Sequence, residues 1–164
     1  MIKEIINRRS VRSYKSTSVK KEDIIEIIKA AQYSPSGRHS RAWEFVIVND
    51  KKEKDEIYNL IGQEFIKEAP VLIVGAVDTK KTNLGMQDLA IASENIFLQA
   101  AQLGLGTVWK NLNAEWASQV KKILGIPDHF LVINIIPLGY PKGNISPHNE
   151  KEDFESSKIH WGKW

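Results

Sequence analysis

Three guanidiniums stand close together near the start of the chain, in Arg8-Arg9-Ser10-Val11-Arg12-Ser13-Tyr14. Seryl hydroxyls at Ser10 and Ser13 are interleaved with them. Residues 1–21 carry seven basic side chains (Lys3, Arg8, Arg9, Arg12, Lys15, Lys20, Lys21) against one acid, Glu4, although the whole chain has a net charge of only +3. Forked, permanently charged donors beside hydroxyls suit a phosphate joined to a planar polar group. The plainer account of the same residues is a solvated basic turn closing a short helix, where the helix dipole favours cations. No basic helix or repeated basic–aromatic interleaving follows, so a small phosphate ligand is a more economical expectation than nucleic acid.

The elements that must position this cluster are legible from periodicity and punctuation. Ile2, Ile5 and Ile6 mark a short helix that ends near the arginines. Ser18 is expected to cap a second, with Ile24, Ile27, Ile28 and Ala31 on one face and Pro35-Ser36-Gly37 closing it. Trp43 to Val48 reads as a strand, and Asp50 to Leu60 as a charged helix with Ile57, Leu60 and Ile61 inward. Pro70 to Val77 is a continuous apolar strand of the kind buried on both faces. Gly85 to Leu103 is the longest helix, broad in its apolar surface and closed by Gly104. Leu105 to Trp109 reads as a short strand, Asn113 to Leu124 as a capped helix ending at Gly125, and Phe130 to Leu138 as the last core strand. The order implies one helix-flanked sheet in a single domain of 164 residues. A tail from Tyr140 onward has little core of its own. It ends Ile159-His160-Trp161-Gly162-Lys163-Trp164, aromatic enough to be expected against a partner subunit.

Composition narrows the chemistry. With no cysteine, thiolate catalysis, disulfides and Cys-based metal sites are excluded. No signal-peptide-like stretch opens the sequence and no apolar run is long enough for a bilayer, so the expectation is a soluble cytoplasmic protein without a membrane partner. No nucleophile, metal cluster or acid–base dyad stands out. Gly104-Leu105-Gly106 is not a dinucleotide fingerprint, because the third glycine is missing and the order is helix to strand.

Four segments, in order and spanning nearly the whole chain, resemble the FMN-dependent nitroreductase family. They are Arg8 to Tyr14; Ala31 to Trp43 with Ser34-Pro35-Ser36-Gly37; Asp88 to Gly104 running into Gly104-Leu105-Gly106-Thr107-Val108-Trp109; and Pro137-Leu138-Gly139-Tyr140-Pro141 with the closing Ile159-His160-Trp161. The resemblance implies an α+β fold with a central, mostly antiparallel sheet of four to five strands flanked by helices. It implies a homodimer with residues 140–164 as an extended dimerisation tail embracing the partner subunit. It also implies FMN as cofactor, NADH or NADPH as reductant, and a nitroaromatic, quinone or similar electrophile as the small-molecule acceptor in a ping-pong cycle. The flavin carries the redox work in such proteins, and the polypeptide binds, orients and tunes it.

By resemblance, Arg8 and Ser10, with Arg9 beside them, grip the phosphate and ribityl chain, and Arg12 lies near the pyrimidine edge of the ring. Pro35, Ser36, Gly37 and His39 approach from the partner subunit. Here the chain departs from the family's Asn-x-Gln-Pro-Trp, reading His39-Ser40-Arg41-Ala42-Trp43 instead. A neutral His can donate or accept one hydrogen bond in the place of the Asn, or His39 is simply a surface residue. Val108, Trp109, Lys110 and Asn111 pass the N5 side of the ring, chiefly through their backbone. The second phosphate cation is assigned to Lys151 with Lys142 as fallback, although Glu150-Lys151-Glu152-Asp153 also reads as a solvated charged run. Another flavin reaction on the same scaffold, and a flavin-binding or redox-sensing protein without fast turnover, are the competing readings.

Overall fold

The computed structural model describes residues 1–149 and 153–164. Its elements run α1 (Lys3–Asn7), α2 (Lys21–Gln32), β1 (Trp43–Val48), α3 (Lys51–Ile61), α4 (Glu64–Glu68), β2 (Val71–Asp78), α5 (Gly85–Gln102), β3 (Gly106–Thr107), β4 (Lys110–Asn111), α6 (Ala114–Leu124), β5 (Phe130–Val132) and β6 (Asn134–Gly139). Short 3₁₀ turns at Gly37–His39 and Ser156–Lys158 complete the set. Among the described residues no helix is long and apolar enough to cross a membrane.

The sheet is antiparallel at every strand pairing and is organised around β2. On one side β1 pairs with it from Trp43↔Val77 to Val48↔Leu72; on the other β6 pairs from Val71↔Leu138 to Ile73↔Ile136. β5 continues along the far end of β2, with Ala76↔Val132. β3 and β4 both pair with β6, through Gly106↔Gly139 and Asn111↔Asn134.

Every residue of β2 is buried, because helices cover both faces of the sheet. Alternate side chains then go to opposite layers. Leu72, Val74 and Ala76 join Ile57 and Ile61 of α3, Ile66 of α4 and Val120 of α6. Val71 and Ile73 join Ile27 and Ala31 of α2 and Ala92, Ile96, Phe97 and Ala100 of α5. The result is a helix–sheet–helix α+β fold whose central helix is α5.

Local chemistry places most boundaries. The Asp50 side chain accepts from the Lys52 amide at 2.8 Å to start α3, and Asn113 Oδ1 accepts from the Trp116 amide at 2.7 Å to start α6. α5 ends in a Schellman pair: Gly104 has φ of 72°, its amide donates to Ala101, and the Leu105 amide donates to Ala100 at 2.8 Å.

Four boundaries differ from the sequence reading. α2 begins at Lys21 with Lys20, not Ser18, as the cap residue and no side-chain cap; Glu22 and Asp23 in the first turn supply the dipole complement instead. The stretch after Gly62 contains α4, anchored by buried Ile66. The expected strand Leu105–Trp109 is broken, because Val108 is buried and Trp109 turns edge-on to Phe97 with ring centroids 6.4 Å apart. Phe130–Leu138 is interrupted at Ile133, whose carbonyl leaves the ladder to accept from the Leu112 amide at 2.9 Å. These interruptions turn an expected four to five strands into six.

Candidate functional site

Residues 10–15 are stitched between β3 and the exit of β6, which fixes how the arginine cluster is presented. Ser10 forms a parallel bridge with Thr107, and the Val11 amide donates to the Thr107 carbonyl at 2.8 Å. Tyr14 bridges Pro141; the Lys15 amide donates to Tyr140, and the Lys142 amide donates to Ser13. Val11 lies so close over Gly106 that a Cβ there would sit 2.5 Å from Val11 Cγ2. Only glycine at 106 allows this approach.

Tyr14 is the peg of the segment. It is 4% exposed, and its hydroxyl donates to the Val11 carbonyl at 2.7 Å and lies 3.3 Å from the Pro137 carbonyl. Burial is the main cause pushing its phenol pKa well above the usual value; Glu68 adds to this and Arg12 opposes it. The phenol is therefore a permanent donor at neutral pH. Glu68, at the end of α4, accepts from both the Ser13 hydroxyl and the Tyr14 amide at 3.1 Å. The segment is thus held from the sheet, from the tail side and from α4.

What it presents is a pair of adjoining grooves. One, of about 160 Å³, is lined by Arg8, Arg9 and the Gly104–Thr107 turn. The other, of about 400 Å³, is lined by Arg9, Ser10, Arg12, Ser13, Lys142, Asn144 and Ser146, among others. Arg9, Val11, Pro141 and Ile145 belong to both, and among the described residues no carboxylate lines either. Arg8 Nε is 3.9 Å from Glu94 Oε1 of α5, and Arg9 Nη1 is 3.2 Å from His148 Nδ1. Arg12 is exposed and makes no ion pair among the described residues. Cations, hydroxyls and an amide, with Glu94 reaching only Arg8 from outside the grooves, form a donor set for a phosphate attached to a polyol.

The remaining sites expected from sequence fall in two other places. Pro35, Ser36, Gly37 and His39 lie on the loop after α2; Gly37 lines a separate cavity with the loop before α5 rather than either groove at Arg8–Arg12. That loop is strained: Arg38, His39 and Arg41 have φ of 52°, 56° and 45°, a region costing non-glycine residues about 1–2 kcal/mol each. It is held by Asp88 of α5, 2% exposed, whose Oδ1 accepts from the Gly37 amide at 2.9 Å, and by the Ser36 hydroxyl, which accepts from the Arg41 amide at 3.0 Å. Val108 and Trp109 turn their side chains into the core, and the Lys110 ammonium sits 4.3 Å from the centre of the Trp116 ring. Asn111 is exposed on β4. This leaves backbone groups, rather than the side chains of 108–110, for any ligand. Lys151 lies outside the described residues; Lys142 lines the larger groove.

Over residues 5–71 and 53–140 the sequence matches the model of the nitroreductase family. The chain belongs to that family. An Archaeoglobus fulgidus relative provisionally named NADH dehydrogenase/NAD(P)H nitroreductase is 34% identical, over 99% of this chain and 98% of its own. A Parabacteroides distasonis crystal structure with the same provisional name superposes with a TM-score of 0.93 at 38% identity, covering 99% of this chain and 98% of that one. The FMN-dependent nitroreductase of Clostridium difficile superposes at 0.91 and 33% identity over the full length of both chains.

Two positioning residues of this nitroreductase family member were not visible in its sequence. Glu68 is one of two acids between Gly62 and Ala69, and nothing local in the sequence relates it to Ser13. Asp88 occupies the first turn of α5, where any acid is favoured by the dipole, so its bond to Gly37 left no separate signal.

Proposed function

We propose that this chain is an FMN-dependent oxidoreductase of the cytoplasm, working as a homodimer. In this reading it takes a hydride from NADH or NADPH and passes electrons to nitroaromatics, quinones or similar electrophiles in a ping-pong cycle. The observation that carries the reading is the pair of adjoining grooves, with no carboxylate among their described lining residues, that gathers Arg8, Arg9, Ser10, Arg12 and Lys142 at the β3–β6 edge of a nitroreductase fold. Its donors fit the phosphate and ribityl chain of FMN. When bound, FMN supplies the two-electron chemistry.

The residues supply the rest. Arg8, Arg9 and Lys142 neutralise the phosphate, and Ser10 and Ser13 offer hydroxyls to the polyol. Arg12, exposed and without an ion pair among the described residues, is the cation available to offset negative charge on a reduced ring. Tyr14 and Glu68 hold the segment so that these donors need no reordering when ligand arrives.

Dimerisation is supported by what one chain leaves uncovered. Trp161 and Trp164 are 89% and 102% exposed, and Ile2, Ile5 and Phe154 are exposed as well. The loop of Pro35, Ser36, Gly37 and His39 lines neither of the two grooves at Arg8–Arg12 in its own chain, so a second copy is the natural source of that half of the site. Residues 1–164 then act as one FMN-binding domain, with 140–164 as the tail that embraces the partner.

The purified protein is expected to be yellow with releasable FMN, to bleach anaerobically with NADH or NADPH, and to recolour on adding a nitroaromatic or quinone. Arg12→Ala is expected to slow the bleaching or weaken FMN binding about tenfold, the worth of one charge-assisted contact. A colourless protein that takes up no added FMN, or a flavin-loaded monomer in sedimentation, overturns the reading.

A further inference from the structure

A second basic cavity lies away from the arginine cluster. It has a volume of about 310 Å³ and is formed where the loop after α2 meets the loop between β2 and α5, with Arg38, Lys80, Lys81, Thr82 and Asn83 among its lining residues. It shares no residue with the two grooves around Arg8–Arg12. The charged residues of its lining are all cationic. The two nearby acids are turned to internal work. Asp78 accepts from the Lys80 amide at 2.9 Å, with Lys81 Nζ and His129 Nε2 at 3.7 and 3.8 Å. Asp88 is buried beneath the Gly37 amide and 3.5 Å from the Thr82 hydroxyl. Arg38 and Lys80 are exposed and carry no ion pair among the described residues.

Two features argue that this is more than a solvated charge run. Arg38 is held in the left-handed region, as are His39 and Arg41, on a loop that Asp88 and Ser36 fix in that shape. Strain maintained by surrounding structure is characteristic of ligand-contacting loops. The cavity also ends at Leu84, the residue before the 18-residue helix α5, whose positive end adds to the field of the three cations. Arg38 and Lys80–Lys81 are far apart in the chain, and only the fold brings them to one cavity.

We infer that this cavity binds a phosphate ester of the dinucleotide reductant. Arg38 supplies a forked donor, and Lys80 and Lys81 supply point charges. The inference rests on the oxidoreductase reading above. There the Pro35–His39 loop borders the ring site of the partner chain, so a nucleotide engaging that site has its phosphates at hand for the neighbouring cations. Two phosphates of a dinucleotide have this chemistry, the 2′-phosphate that distinguishes NADPH from NADH and the pyrophosphate that both share.

The test is calorimetric titration of FMN-loaded protein with 2′,5′-ADP and with 5′-ADP, in wild type and in the Arg38→Ala/Lys80→Ala double variant. Both substitutions are on exposed loop positions, and the flavin spectrum checks that the variant is loaded. If the cavity takes the 2′-phosphate, wild type prefers 2′,5′-ADP, and the variant binds it about tenfold or more weakly with 5′-ADP little changed. If it takes the pyrophosphate, wild type prefers 5′-ADP, which carries one, over 2′,5′-ADP, which carries two separate monophosphates, and the variant loses affinity chiefly for 5′-ADP. Equal binding of both ligands by variant and wild type overturns the inference. Failure to load FMN overturns only the oxidoreductase reading, and the same titration on the unloaded protein still reads the cavity.

Discussion

Tyr14→Phe tests whether the arginine cluster is held by a single buried hydroxyl. The ring of Tyr14 is enclosed, so Phe keeps its packing and removes only the donor. A phenol has one proton to give, and the 2.7 Å contact to the Val11 carbonyl is the shorter of its two. Its loss leaves a buried carbonyl without that partner, a cost of about 1–2 kcal/mol. For a chain of this size that amounts to a fall of about 3–6 °C in Tm. With an m-value of about 2 kcal/mol/M it is a shift of about 0.5–1 M in the urea midpoint. The assay is urea unfolding followed by tryptophan fluorescence at fixed protein concentration, since dimerisation would make the midpoint concentration-dependent. A second signature comes from titration. The folded phenol is raised above its ordinary value of 10.0, so above that pH the unfolded chain releases its proton first and wild-type stability falls. The Phe variant lacks this slope, and the two proteins converge in alkaline solution. A midpoint unchanged at neutral pH, together with parallel stability curves above pH 10.0, would refute the role given to the hydroxyl.

Gly106→Ala places a methyl carbon 2.5–2.9 Å from three side-chain atoms of Val11, a stiff β-branched neighbour, so we expect about 1–3 kcal/mol of destabilisation with weaker FMN binding. Val11→Ala in the same chain should recover part of that loss, and strictly additive effects in thermal unfolding would argue against the contact. Asp88→Ala frees the Gly37 amide, and the strained loop should then be cut faster by trypsin after Arg38 or Arg41; an unchanged cleavage rate contradicts the clamp. Asp153 is held below its ordinary value of 3.8, first by the hydrogen bond with His148 and then by the Asn149 amide. Its contribution is therefore present above pH 3.8 and fades as pH falls through the lower folded value. Asp153→Asn should mimic that loss, speeding exchange of the His148 amide that donates to Ile6 at 2.8 Å, and undiminished protection would count against it.

Much of the scaffold was legible because its signals are local. Asp50 and Asn113 cap helices through amides two or three residues away, and Gly104 terminates α5 through its own φ. The apolar stretch from Val71 needs no partner to announce that both its faces are covered. Reading failed where packing overrode propensity. Ser18 is a good cap residue left unused, Trp109 leaves the strand direction to meet Phe97, and Ile133 gives its carbonyl to Leu112. Each outcome depends on a neighbour that no sequence window contains.

The same division holds for the site. Residue type and order were enough to mark the donors, Arg8, Arg9, Ser10 and Arg12, the helix-to-strand turn beside them and the family resemblance. What those donors face was settled by the fold. It set Lys142 along their groove, left Arg12 without an ion pair among the described residues, placed Glu68 beneath Ser13 and Tyr14, and joined Arg38 to Lys80 and Lys81 around a second cavity. Electrostatics and hydrogen bonding act over a few ångströms in space, whereas these partners are separated by tens of residues of chain. Their meeting is a property of the closed sheet and its two helical layers.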